Sequence, residues 1–144
     1  MNIFLIANLL TSATGLILTI ILLVYGRTTL HRLWMLLNLF VFIWGVGTSL
    51  VAVAPTTSKA WLGWKIACTG GLFLPPLFYH ITNIFVGLKN KIILFLVYFQ
   101  AFLFFLLVWF TKEGVILGNW QLLFNSFFYN RANFGYAFGT FNWV

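Results

Sequence analysis

Four stretches of this chain run for about the thickness of a bilayer with almost no charge in them. They cover residues 3–25, 33–54, 60–87 and 92–110, and Lys65 is the sole Lys, Arg, Asp or Glu inside them. A helical span takes roughly 20 consecutive apolar residues. The chain as a whole is 62% hydrophobic and 6% charged, whereas a soluble domain carries roughly 25% charged residues. So little charge cannot cover a water-facing surface, and so much hydrophobicity excludes disorder. The expected fold is all-α: a polytopic membrane protein with about four transmembrane helices. An aromatic content of 21% suits lipid-facing and interfacial positions.

The ends of the runs carry stop and start signals. The first run opens without a preceding basic residue and closes without a cleavage-like site, so it reads as a retained helix rather than a signal peptide. Gly26 to Arg32 then forms a short basic loop with Arg27, His31 and Arg32. Pro55 stops the second run because proline cannot continue the hydrogen-bond ladder. Among Thr56, Thr57 and Ser58, one is expected to cap the third helix. The third run would reach roughly 40 Å, beyond the ~30 Å hydrocarbon core. The excess calls for tilt, protrusion or a kink, and Pro75-Pro76 supplies a cause for a kink. Lys65 is expected to snorkel to the interface between Trp61 and Trp64. The turn Leu88 to Lys91 is again basic, and Gln100 is the strongly polar residue of the fourth run.

The tail, residues 112–144, mixes aromatics with Asn and Gly and sustains neither a spanning run nor strand alternation. It is expected to be an extracytoplasmic or interfacial segment with short structured pieces. Its Gly135-to-Gly139 spacing matches G-x-x-x-G, which signals dimerisation only inside an apolar span. A flexible turn is the better fit there.

Eight Lys/Arg stand against one acid, Glu113, for a net charge of +7. These bases are scattered between apolar runs rather than gathered into a patch. They point to membrane lipids as partners and not to nucleic acid. Arg27, Arg32, Lys89 and Lys91 fall on one side, in very short loops, and Lys59, Lys65, Lys112 and Arg131 on the other. By density the first side is cytoplasmic, which puts the N-terminus and the tail outside.

Spanning helices associate through small residues and interhelical hydrogen bonds. In the first helix Asn8, Ser12, Gly15 and Thr19 share a face, and in the second Asn38, Gly45, Ser49 and Ala52 do. These stripes are expected to be packing faces, with a ligand pathway as the functional alternative. In the third helix Gly70 and Gly71 precede Pro75 and Pro76, and Tyr79, His80 and Asn83 follow. Proline frees carbonyls that neighbouring side chains or water must satisfy. His80 and Asn83 therefore either bond to adjacent helices or form a functional polar site.

No catalytic set is present. The chain has no Asp, a single Glu, no phosphate-binding glycine loop, no His-x-x-x-His pair and no nucleophile elbow. No metal site is expected from one membrane histidine, His80. A bis-histidine haem would need a second, and His31 sits in the basic loop. Cys68, the lone cysteine, reads as a small buried hydrophobe. No cofactor is expected, although bound lipid or pigment is compatible with the composition.

The stretch from about Leu33 to Gly87 resembles the seven-helix N-terminal sensor region of bacterial histidine kinases. The features that carry it are Ala54-Pro55 ending the second helix, Trp61 to Lys65 opening the third, Gly70-Gly71, and Pro75-Pro76 followed by aromatics. The aromatic, glycine-containing tail is similar to the extracytoplasmic loop after that family's fourth helix. The resemblance implies the first four helices of seven, in the bacterial inner membrane with the N-terminus outside. It implies a non-catalytic module for sensing or signal transduction through a partner, because these residues include neither a phosphoacceptor nor an ATP-binding domain. The alternative is a small accessory subunit of a larger respiratory or photosynthetic membrane complex, packing helices and binding lipid or pigment.

Overall fold

The computed structural model describes residues 3–88, 90–111, 120–123 and 126–129. Four helices account for most of them: α1 (Ile3–Tyr25), α2 (Thr29–Ala52), α3 (Thr57–Val86) and α4 (Lys91–Phe110). Two four-residue strands, β1 (Trp120–Leu123) and β2 (Ser126–Tyr129), pair antiparallel with Trp120 opposite Tyr129 and Leu123 opposite Ser126. The rest of the tail, including the Gly135-to-Gly139 spacing, Lys112 and Arg131, lies outside the described residues, as does Lys89.

The helix boundaries are set by caps. The Thr28 hydroxyl accepts from the His31 backbone N–H, and the His31 ring Nδ1 accepts from the Thr28 N–H. This is a reciprocal capping box in which histidine takes the place usually held by Glu or Gln. It starts α2 at Thr29, so His31 and Arg32 belong to its first turn and not to the loop expected from their polarity. Thr56 caps α3 by accepting from the Lys59 N–H. The α3 helix ends at Gly87, whose φ of 73° is a left-handed conformation that glycine adopts without steric cost. Asn90 caps α4 by accepting from the Ile93 N–H.

The helices pack in chain order, α1 on α2, α2 on α3 and α3 on α4, with α2–α3 the most extensive interface. Neighbours are antiparallel: Thr48 bonds to Asn8 across α1–α2, and Trp109 to Thr69 across α3–α4. One apolar cluster, Cys68, Leu72 and Val108 with Trp61, Trp64, Phe104 and Phe105, lies toward the end where α3 begins. A second, centred on Leu33, Leu77 and Ile81, lies toward the opposite end.

Among the described residues, α1, α2 and α4 are long and apolar enough to cross a membrane. The third apolar run, α3, differs from the expectation of a fourth such span. It is the longest helix at 30 residues, but Lys59, Lys65, His80, Asn83 and several glycines dilute its apolar character. Like α2, which lies between α1 and α3, it is flanked on both sides, by α2 and α4. The outer surface is apolar: Leu10, Leu23, Val24, Phe78, Phe85, Phe95 and Phe99 are all exposed. Water-soluble monomers rarely present continuous apolar area beyond a few hundred Å².

Candidate functional site

The α1 stripe of Asn8, Ser12, Gly15 and Thr19 is buried, and it lies against α2. A Cβ on Gly15 would come within 2.9 Å of the Asn38 carbonyl and the Phe42 nitrogen, and one on Gly45 would run into the Ser12 hydroxyl. Thr48 Oγ1 donates to Asn8 Oδ1 at 2.7 Å, linking the two helices. The Thr48 hydroxyl also lies within hydrogen-bond distance of the Trp44 and Gly45 carbonyls, and the other polar groups likewise turn back on their own helix. Asn8, Thr19, Asn38 and Ser49 each donate to the carbonyl four residues earlier, as hydroxyl and amide side chains do in apolar surroundings. Among the described residues, Ser12 Oγ is buried without a hydrogen-bond partner. Thr48 carries the cross-helix bond, and a search for small residues alone passes over it.

The α2–α3 interface rests on other glycines. A Cβ on Gly47 would overlap the Ala67 backbone, and one on Gly63 would lie 2.9 Å from the Val51 nitrogen. A Cβ on Gly70 would sit 2.5 Å from the Trp44 nitrogen. Gly70, Ala67 and Gly63 thus form a groove that admits the α2 backbone, the close approach that small residues permit between packed helices. Gly71 faces open space. It lies four residues before Pro75, whose ring would crowd the carbonyl at that position. Pro75 is half-buried and Pro76 buried, and both lie within the α3 helix.

Two polar stations join α3 to α4. Toward the start of α3, Lys65 Nζ donates to the Trp109 carbonyl at 3.0 Å and sits over the rings of Trp61 and Trp109. Trp109 Nε1 donates to Thr69 Oγ1 at 2.9 Å, and Thr69 in turn donates to the Lys65 carbonyl. A lysine at the C-terminal turn of α4 also complements the helix dipole. Sequence reasoning placed Lys65 at an interface but had no means of pairing it with α4.

At the other end, His80 Nδ1 lies 3.2 Å from the Tyr98 hydroxyl, with the rings edge to face. His80 and Asn83 open onto a cavity of about 240 Å³ beside the α3–α4 turn, together with Asn90 and Lys91. Ile84, Leu88 and Leu94 form its apolar wall. Tyr79 is half-buried and, like Pro75 and Pro76, does not line this cavity. The sequence placed His80 and Asn83 on one face, while Asn90 and Lys91 join them only because α4 folds back. Among the described residues no three His, Cys, Asp or Glu side chains come together.

A second concavity, an open groove of about 460 Å³, runs between α1 and α2 past Leu9, Ser12, Val46 and Ser49. No family model matches this chain, and neither does any curated protein or solved structure.

Proposed function

We propose that the chain is a non-catalytic, multi-pass membrane module that resembles the sensor region of a histidine kinase and relays a signal through a partner protein. The bilayer of this reading is a bacterial inner membrane, crossed four times. The α3 helix counts as the fourth span because a helix walled by α2 and α4 needs less apolar surface than one facing lipid. Antiparallel packing gathers Arg27, Arg32 and Lys91 at one end of the bundle and Lys59 and Lys65 at the other. The denser end is cytoplasmic by the positive-inside rule, with the N-terminus outside.

The observation that carries the relay is the build of α3. Two adjacent prolines remove the N–H donors that would serve the carbonyls of Gly71 and Leu72. Glycines hold the first half of the helix close to α2. Polar stations tie it to α4 on both sides of the prolines, at Lys65–Trp109 and His80–Tyr98. A helix weakened in its middle and fastened on either side is suited to two arrangements, which is what a relay needs. The test is recovery of the tagged chain from native membranes. A co-purifying protein with a signalling output domain is the expected result. Stoichiometric recovery with a respiratory or photosynthetic assembly would rule the relay out.

The open α1–α2 groove favours one other reading, an accessory subunit of such an assembly. Its lining is almost wholly apolar, from Leu5 and Leu9 to Leu50 and Val53. A partner's helix or an acyl chain fits that chemistry.

A further inference from the structure

We infer that the cavity at the α3–α4 turn binds the phosphate of an anionic phospholipid head group. This rests on the membrane reading above but not on the relay.

The polar groups around the cavity come from His80, Asn83, Asn90 and Lys91. None is an acid, and Lys91 is a cation. Asn83 is 4% exposed, and its carboxamide has no hydrogen-bond partner among the described residues. Its amide atoms are not enclosed, because Ser12 Oγ is the buried side-chain atom left without a partner. Asn83 lines this cavity, which places its unpaired carboxamide at the cavity wall. A buried amide left unpaired costs about 1–3 kcal/mol unless a ligand or water meets it.

The geometry around Asn83 suits an anion. The cavity includes the start of α4, a 20-residue helix. Asn90 caps the Ile93 N–H, and the first-turn N–H groups of Lys91 and Ile92 have no place in the helical ladder. First-turn N–H groups, the positive end of the helix dipole and a lysine in the same turn together make an anion site. His80, held by Tyr98 through Nδ1, also lines the cavity. The apolar wall, Ile84 and Leu94 among it, distinguishes the site from one for a fully hydrated ion. A phosphate attached to acyl chains satisfies both halves, and the turn lies at the end of the bundle where Arg27 and Arg32 add positive field.

The test uses the full chain in nanodiscs containing equal parts phosphatidylcholine and phosphatidylglycerol. The protein is released into the gas phase, and retained lipids are counted by head group with native mass spectrometry. Wild type is expected to keep one phosphatidylglycerol in strong preference to phosphatidylcholine. Lys91→Gln should cut that preference about tenfold, the scale of one charge-assisted hydrogen bond, and Asn83→Leu should also lower it. Lys59→Gln removes the same charge at the other end of the bundle and should leave the preference intact. If Asn83→Leu fails to fold, Lys91→Gln against Lys59→Gln still decides. Equal retention in Lys91→Gln and wild type, or equal loss in Lys59→Gln, would overturn the site. Displacement of the lipid by inorganic phosphate alone would assign the cavity to a free anion and overturn the lipid. Failure of the chain to enter nanodiscs would instead overturn the membrane reading beneath it.

Discussion

Lys65 on α3 and Trp109 on α4, 44 positions apart, are joined by a 3.0 Å hydrogen bond from the ammonium to the backbone carbonyl. The same tryptophan holds the lysine from two sides, since its ring lies beneath Nζ and its indole N–H anchors Thr69 one turn along α3. Lys65 thus serves as a cross-helix tie as well as an interfacial residue. Removal of the charge while the stem is kept, as in Lys65→Met, is expected to lower stability by about 1–2 kcal/mol. Trp109→Phe should act on the same unit. Unfolding in mixed micelles of both single variants and the double variant checks this, and strict additivity would mean that the Trp109 side chain is not coupled to the lysine, since Trp109→Phe keeps the backbone carbonyl.

Gly47 and Gly71 make a matched pair for a second prediction. Alanine at Gly47 drives a methyl into the Ala67 backbone, whereas alanine at Gly71 meets nothing. Gly47→Ala should separate α2 from α3 and destabilise the bundle by about 2 kcal/mol, in the range of overpacked cores. Gly71→Ala should be neutral or gain up to ~1 kcal/mol from helix propensity. Equal effects in the same unfolding assay would contradict the α2–α3 packing described above.

Between α1 and α2, the Thr48–Asn8 bond is the tie to break. Thr48→Val keeps the shape of the side chain and removes the donor. Cross-helix bonds of this kind average about 0.6 kcal/mol in membranes, so a loss of that order is expected. Asn8→Leu should cost a similar amount, because the Thr48 hydroxyl can still donate to the Trp44 or Gly45 carbonyl of its own helix. A double-mutant cycle reads the coupling directly, and a coupling indistinguishable from zero would remove this bond from the account.

Antiparallel order also predicts accessibility. In a Cys68→Ala background, single cysteines at Arg27 and Asn90 should react with an impermeant maleimide from the same face of sealed vesicles, and a cysteine at Ser58 from the opposite face. Labelling of positions 27 and 58 from one face would mean that α2 does not cross.

The sequence by itself determined the solvent and the elements. Runs of bilayer length with almost no charge dictate helices, because every backbone N–H and C=O must be satisfied within its own segment where there is no water. The stripe from Asn8 to Thr19 was likewise visible as spacing. What tertiary structure alone decided was pairing. Gly47, Thr48 and Tyr98 carry no signal in sequence and Lys65 signals only an interface, and each gains its partner from a residue 16 to 44 positions away: Gly63, Asn8, His80 and Trp109 respectively. Hydrophobic patterning cannot specify such pairs, because in lipid all apolar faces are nearly equivalent. Close steric fit and a few directional hydrogen bonds choose among them. The start of α2 escaped for a related reason: the Thr28–His31 box is a local hydrogen-bond arrangement that polarity alone reads as loop.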